Sequence, residues 1–445
     1  MKKWAFRGFR VLLALGGIWL LLEAAVRVYV EAPLSTDFYG SISREEVAEK
    51  QALYRVQTTA GPGWVHLGWI ANPEVETYRI ERREAQGWQT VGRTQFGSFL
   101  WRGEGGSFRV WREPKKGGEP ALLGEVEAWP EGASPPLFLP RIVGEWRFLF
   151  KPTQYGYYVN DHTIFQDAEG NWRLVGITSR SDGDYNQEKY FAVGVSEEFP
   201  PPGGMRELPP VADFGELAWA PHVIYARGRY HMFWSPHKLH QMASEDGIAW
   251  QDHRITLTKP YHKFFRDGMV LQVAENQWLL YTTARGTYYS QVDLYQSFDL
   301  EGWQYIRTAL GSGWGSERNS AFASMESPFV LQYQGRYYLS LTYNNDSFFW
   351  PAILMLFRVW WPHKATYNET LVFHSDNPYD FGVYRGRGRG RSPTLLAQLE
   401  AHAPEWVYHP QDDRWYITTA GWPWVATLTS GEVAVASVEW EPLPR

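Results

Sequence analysis

Short apolar and aromatic runs, broken by Gly, Asn, Asp and Pro, recur through most of this chain. That is the pattern of half-buried β-strands joined by tight turns. Five stretches in the C-terminal part repeat one phrase: an apolar strand, a turn, and a second strand rich in aromatics. They begin at Asn160-Asp161-His162, Trp219-Ala220-Pro221-His222, Arg266-Asp267-Gly268, Glu326-Ser327-Pro328 and His402-Ala403-Pro404. The second strands read GNWRLVGITS, GRYHMFWS, NQWLLYTTA, GRYYLSLTYN and DRWYITTAG. Hairpins recurring every ~45–75 residues predict radially repeated sheets, so an all-β fold with a five-bladed β-propeller over residues 141–445 is expected.

Upstream the pattern changes to alternating strands. WVHLGWI, ETYRIERR, GWQTVGRT, SFRVWRE and LLGEVEAW predict a small β-sandwich over residues 51–129, and PEGASPPLFLP reads as a linker. The run Trp69, Tyr78–Arg82 and Trp88–Gly92 resembles a fibronectin type III module, which implies a spacer or interaction role. At the N-terminus, Lys2, Lys3, Arg7 and Arg10 precede an apolar run from Val11 to Leu22. Residues 1–30 therefore read as a signal peptide or a membrane anchor, and either places the remainder outside the cytoplasm, secreted or held at the cell surface. The polar stretch that follows includes SREEVAEKQ, a candidate short helix.

A second signature trails the hairpins: Ser244-Glu245-Asp246-Gly247, Ser297-Phe298-Asp299-Leu300 and Ser375-Asp376-Asn377-Pro378, each followed by an aromatic. It resembles the Asp box of sialidases with one residue missing. Short polar side chains of this kind cap turns, so these acids are expected to be structural. Arg385 to Arg391 alternates Arg and Gly and cannot build a core.

Composition narrows the function. The chain holds 24 Trp and 26 Tyr, whose flat apolar faces and polar edges suit both sheet packing and sugar rings. A net charge of −6 argues against nucleic acid as a partner. No cysteine is present, which excludes disulfides, thiolate catalysis and cysteine-ligated zinc.

Asp161, Asp267 and Glu326 stand at closely matched places in three phrases, ahead of a strand that would line the propeller axis. One such acid could simply cap a strand start. Three predict a shared pocket able to protonate a glycosidic oxygen and activate water or attack the anomeric carbon. From about Tyr157 onward the chain resembles the five-bladed glycoside hydrolases, the superfamily containing families 43, 32, 62 and 68. Asp161-His162, Asp267 and Glu326-Ser327-Pro328 are similar to the general base, modulator and Glu-Gly-Pro general acid of family 43, and WAPHVIYARGRYHMFWS is similar to its second-blade strand. Asn160-Asp161, Arg266-Asp267 and Glu326-Ser327-Pro328 equally resemble the nucleophile, stabiliser and acid motifs of family 32, whereas His162 and Gly268 replace prolines usual in both. The resemblance implies a glycosidase acting on furanosides or pentosides of an oligo- or polysaccharide, with inversion favoured. Substrate contacts are expected from Asn160, Trp219, His222, Arg266 and His402. No cofactor is required and no metal ligand is assigned, although a structural calcium near the axis is a further implication. A monomer is expected. A carbohydrate-binding propeller without catalysis, and a transglycosylase or phosphorylase, are the alternative readings.

Overall fold

The computed structural model describes residues 44–444 except 73–74, 116–117, 181–183, 212–213, 263, 286–289, 313–324, 344–366, 387–391 and 424–426. The expected signal or anchor segment and most of the Arg–Gly run lie outside the described residues. Among the described residues no helix is long and apolar enough to cross a membrane.

Every repeated phrase forms the hairpin its pattern predicts. The first sheet is the antiparallel meander His162–Gln166, Trp172–Thr178, Tyr190–Ser196 and Arg206–Val211. The second runs Trp219–Ala226, Arg229–Ser235, Leu239–Ser244 and Gln251–Leu257. In the third, Arg266–Ala274, Gln277–Arg285, Ser290–Ser297 and Gln304–Ser312 gain a short parallel strand, Gly382–Tyr384. The fourth comprises Met325–Tyr333, Arg336–Tyr343, Glu369–Ser375 and Leu395–Leu399. The fifth takes Trp406–His409, Arg414–Thr419 and Val433–Pro442 and is completed by Phe138–Phe150 from the other end of the region, with Pro442 opposite Phe138. That closing strand begins inside the segment read as linker, because Phe138 and Leu139 pair rather than bridge.

Each pair of neighbouring sheets buries its own apolar core, and this closes the ring. Phe165, Val175 and Ile177 meet Val223, Met232 and Trp234 between the first two sheets. Phe233 and Leu239 meet Trp278 and Leu280 between the second and third. Leu279 and Leu294 meet Leu339 and Leu371 next, then Tyr338 and Val372 meet Trp406 and Ile417. Finally Phe150 and Val433 of the fifth sheet pack on Trp172 and Leu174 of the first. The result is an all-β, propeller-type arrangement with the first strand of each sheet innermost. Period-two alternation is weak in the second strands, which are covered on both faces; Trp172–Thr178 is buried at every position.

The upstream region is a sandwich. Gln57–Gly61, Trp64–Gly68 and Ser98–Arg102 form one sheet, and Gly87–Thr94, Val75–Glu84, Gly106–Pro114 and Ala121–Ala128 the other. Val65, Leu67, Trp69, Tyr78, Ile80, Phe108 and Val110 fill the space between them. The predicted short helix spans Arg44–Leu53 and ties down through a Lys50–Asp299 ion pair and a Gln51 bond to Ile70 O.

The sandwich is docked on the third and fourth propeller sheets through buried amides. Gln296 Nε2 donates to Trp69 O at 3.1 Å and Gly97 O at 2.7 Å, while Ala71 N donates to Gln304 Oε1 at 3.0 Å. Trp64 Nε1 donates to Asp376 O at 2.9 Å, and His66 stacks on Tyr379 at 3.8 Å. Asp299, Asp376 and Tyr379 belong to the Ser–acid turns, so those turns serve as docking points. Their capping role is as expected: Asp246 Oδ1 accepts from Ile248 N at 2.7 Å, and Asp299 Oδ1 from Glu301 N at 2.9 Å. In the third copy Asn377 takes that place, accepting from Tyr379 N at 2.9 Å.

Candidate active site

The start of each inner strand carries one extra residue. In the second, third and fourth sheets the register slips between Trp219 and His222, Arg266 and Met269, and Glu326 and Phe329. In the first sheet Ile177 serves two residues at once, accepting from Asn160 N at 3.1 Å and donating to Asp161 O at 2.9 Å. A bulge of this kind breaks strict alternation and re-aims side chains. Ala220, Asp267, Ser327 and Ala403 share the same left-handed backbone, with φ of 48°, 55°, 52° and 43°. For a non-glycine residue that conformation carries strain, and strain of this sort gathers at functional sites.

The bulge gives each sheet two adjacent positions directed toward the centre. Asn160, Trp219, Arg266, Glu326 and His402 occupy the first; Asp161, Ala220, Asp267, Ser327 and Ala403 the second. Asp161 and Asp267 are thus equivalent, and Glu326 sits one position earlier, as the phrases themselves align. All three carboxylates line one cavity of about 460 Å³, together with Asn160, Trp219, Arg266, Ser327 and His402. His222 lies elsewhere. Two residues past the bulge, it lines a second cavity of about 30 Å³ deeper on the axis, where Nε2 contacts Val270 O at 3.1 Å and the ring meets Phe329. Burial lowers its pKa to about 4, as befits a neutral histidine with a structural partner.

Ser327 joins the two aspartates. Its hydroxyl donates to Asp161 Oδ1, and its backbone N–H donates to Asp267 Oδ2 at 3.2 Å. Asp267 Oδ2 also accepts from Thr283 Oγ1 at 2.9 Å. Burial raises both aspartates above the usual carboxylate range. Arg266 is ion-paired to Glu326 and lies 3.6 Å from Asp267. Glu326 Oε1 is buried with no hydrogen-bond partner among the described residues.

A hydrogen-bond chain leaves Asp161 sideways. Asn160 Nδ2 lies 2.7 Å from Asp161 Oδ2, His402 Nε2 lies 3.0 Å from Asn160 Oδ1, and His402 Nδ1 lies 2.7 Å from Tyr367 O. The chain ends on a carbonyl at one side and a carboxylate at the other, and each of its three contacts needs one proton. A neutral imidazole and one amide N–H supply two. The third must sit on His402 as an imidazolium, or on Asp161 with the Asn160 amide reversed. Burial lowers His402 to about 4 and raises Asp161, so burial favours Asp161 as its seat. Asn160 and His402, expected as sugar contacts, thus share one hydrogen-bond chain with Asp161.

Among the described residues no three His, Asp or Glu side chains are grouped to hold a metal, and both ring nitrogens of His402 are engaged.

Much of the remaining cavity wall has no counterpart in the repeat: Glu188, Phe264, Phe265, His237, Tyr367 and Trp422. They come from loops between strands, where no repeat marks them. Trp422, directly after the fifth phrase DRWYITTAG, is the one with a visible signal.

The sequence matches no family model and no curated protein. Solved structures do match. A thermostable family-43 glycoside hydrolase aligns at 15% identity over 67% of this chain and 93% of its own, with a TM-score of 0.45. The Bombyx mori GH32 β-fructofuranosidase aligns at 12% identity over 66% of this chain and 61% of its own, TM-score 0.45. The Penicillium chrysogenum α-L-arabinanase, solved with arabinobiose, aligns at 12% identity over 68% of this chain and 98% of its own, TM-score 0.42.

Proposed function

We propose that this chain is a five-bladed propeller glycoside hydrolase acting on furanosides or pentosides, with Glu326 as general acid, Asp161 as general base and Asp267 as modulator. The upstream sandwich, with strand order three-plus-four, is read as a fibronectin type III-like spacer on an exported protein. What supports the catalytic reading is the meeting of three carboxylates in one cavity, one of them with an unpartnered buried oxygen. Glycoside cleavage by inversion asks for that pair of functions and a tuning charge. Asp267 accepts two hydrogen bonds, has the Arg266 guanidinium 3.6 Å away, and serves best as a fixed anion. Asp161 is coupled through Ser327 and Asn160 and can accept a proton from water. For Glu326 to donate, Arg266 must release it, and a sugar hydroxyl competing for the guanidinium would do so.

The Arg266–Glu326 pair is also the observation that favours the second reading, a carbohydrate-binding propeller without turnover. Sugar release from arabinan, arabinoxylan, xylan, fructan and aryl furanosides by the full chain and by Glu326→Gln separates the two. Release by the wild type, falling ~10³-fold or more in the variant, is expected if Glu326 is the acid. Sugar binding without release by either protein would replace the enzyme reading with the binding one.

A further inference from the structure

Glu188 is an acid in the cavity that the repeat does not account for. It lies between the strands Trp172–Thr178 and Tyr190–Ser196, just after the short 3-10 turn Tyr185–Gln187. Its carbonyl accepts from Ala218 N at 2.8 Å, which ties this excursion to the entry of the second sheet. The side chain is only 1% exposed. Oε1 accepts from the Tyr158 hydroxyl and from Trp422 Nε1 at 3.1 Å, and Trp219 further favours the charged form. A carboxyl is thus fixed on the cavity wall beside indoles from the second and fifth sheets.

Anchoring alone does not call for an acid. A glutamine would offer Tyr158 and Trp422 the same acceptor without burying a titratable group. Burial, with Asp161 nearby, pushes Glu188 up to about 7, so a carboxyl is kept here against an electrostatic penalty. The charges lining the cavity are Asp161, Asp267, Glu326 and Glu188 against one described guanidinium, Arg266, which is already paired. An anionic ligand finds no unpaired cation among these residues. A polyol finds acceptors and flat aromatic faces.

We propose that Glu188 is a specificity-determining residue, accepting hydroxyl hydrogen bonds from a neutral sugar unit seated beside Trp219 and Trp422 and turning away sugar acids. This rests on the glycoside reading above.

The test is calorimetric titration at pH 8 of the full chain carrying Glu326→Gln, which blocks turnover, with and without Glu188→Gln. The probes are arabinobiose, xylobiose and sucrose as neutral sugars, and digalacturonate as the acid. A neutral sugar should bind at least ~10-fold tighter than digalacturonate. Glu188→Gln should weaken that neutral sugar ~10-fold or more, in line with a lost charged hydrogen bond, and narrow its margin over the acid. Glu188→Asp, should the glutamine protein not fold, must keep rejecting the acid while losing neutral affinity. Unchanged neutral affinity, or a parallel loss for neutral and acidic sugars, overturns the role of Glu188 while sugar binding itself stands. No binding of any sugar by either protein sinks the glycoside reading, and this proposal with it.

Discussion

At the scale of single residues, the site is a problem of proton placement. Asp161 and Asp267 are both raised by burial, yet a general base works only when ionised. The kcat/KM profile should therefore fall toward acid with its limb above the ordinary carboxylate range. The Ser327 hydroxyl favours the anion of Asp161, so Ser327→Ala should move that limb to still higher pH and lower kcat/KM about tenfold at neutral pH. A pH–rate series on both proteins checks this, and an unmoved limb would remove Asp161 as the base. Asp161, Asp267 and Glu326 were legible in the sequence because each opens a recognisable repeat. Glu188 was not, since its position depends on where a non-repeated loop folds back. Nor was the fate of His222, which turns on the bulge: an even alternation from Trp219 gives no hint that its partner two residues past the bulge faces the deep axis.

At the scale of elements, the bulged strand entry is the device that builds the cavity. In the first sheet its close approach depends on Gly176, where a Cβ would lie 2.6 Å from Val159 Cγ1 and 2.8 Å from the His162 Cβ. Gly176→Ala should push Asn160 and Asp161 out of line. Overpacking of this kind costs about 1–3 kcal/mol of stability, and displaced catalytic groups lower kcat on the order of 10–100-fold. Thermal unfolding and kcat, measured together, test it; full activity at reduced stability would detach the bulge from function. The hairpins themselves were readable because strand–turn–strand patterns are local. The bulge was hidden, because one extra residue is visible only against its partner strand.

At the scale of the whole molecule, buried ionisable groups pull stability in opposite directions along the pH axis. His162, His222 and His402 are lowered from 6.5 to about 4, so the unfolded chain takes up protons first and their contribution is lost as pH falls from about 6.5 toward 4. Glu188 is raised from 4.5 to about 7, so its contribution is present below about 4.5 and lost as pH rises through 7. Glu188→Gln should therefore match the wild type in Tm near pH 5 and exceed it at pH 8, by up to about 3 kcal/mol of unfolding free energy. A constant Tm difference across that range would show that Glu188 is not buried as a titrating group. The ring's closure has a consequence of timing as well. Because Phe138–Phe150 can complete its sheet only with Val433–Pro442, a growing chain carries an open ring, with an unpaired edge on the ring's first strand, until Val433–Pro442 has emerged. A polypeptide built this way is exposed to mispairing until that strand arrives, and Val433–Pro442 acts as the latch.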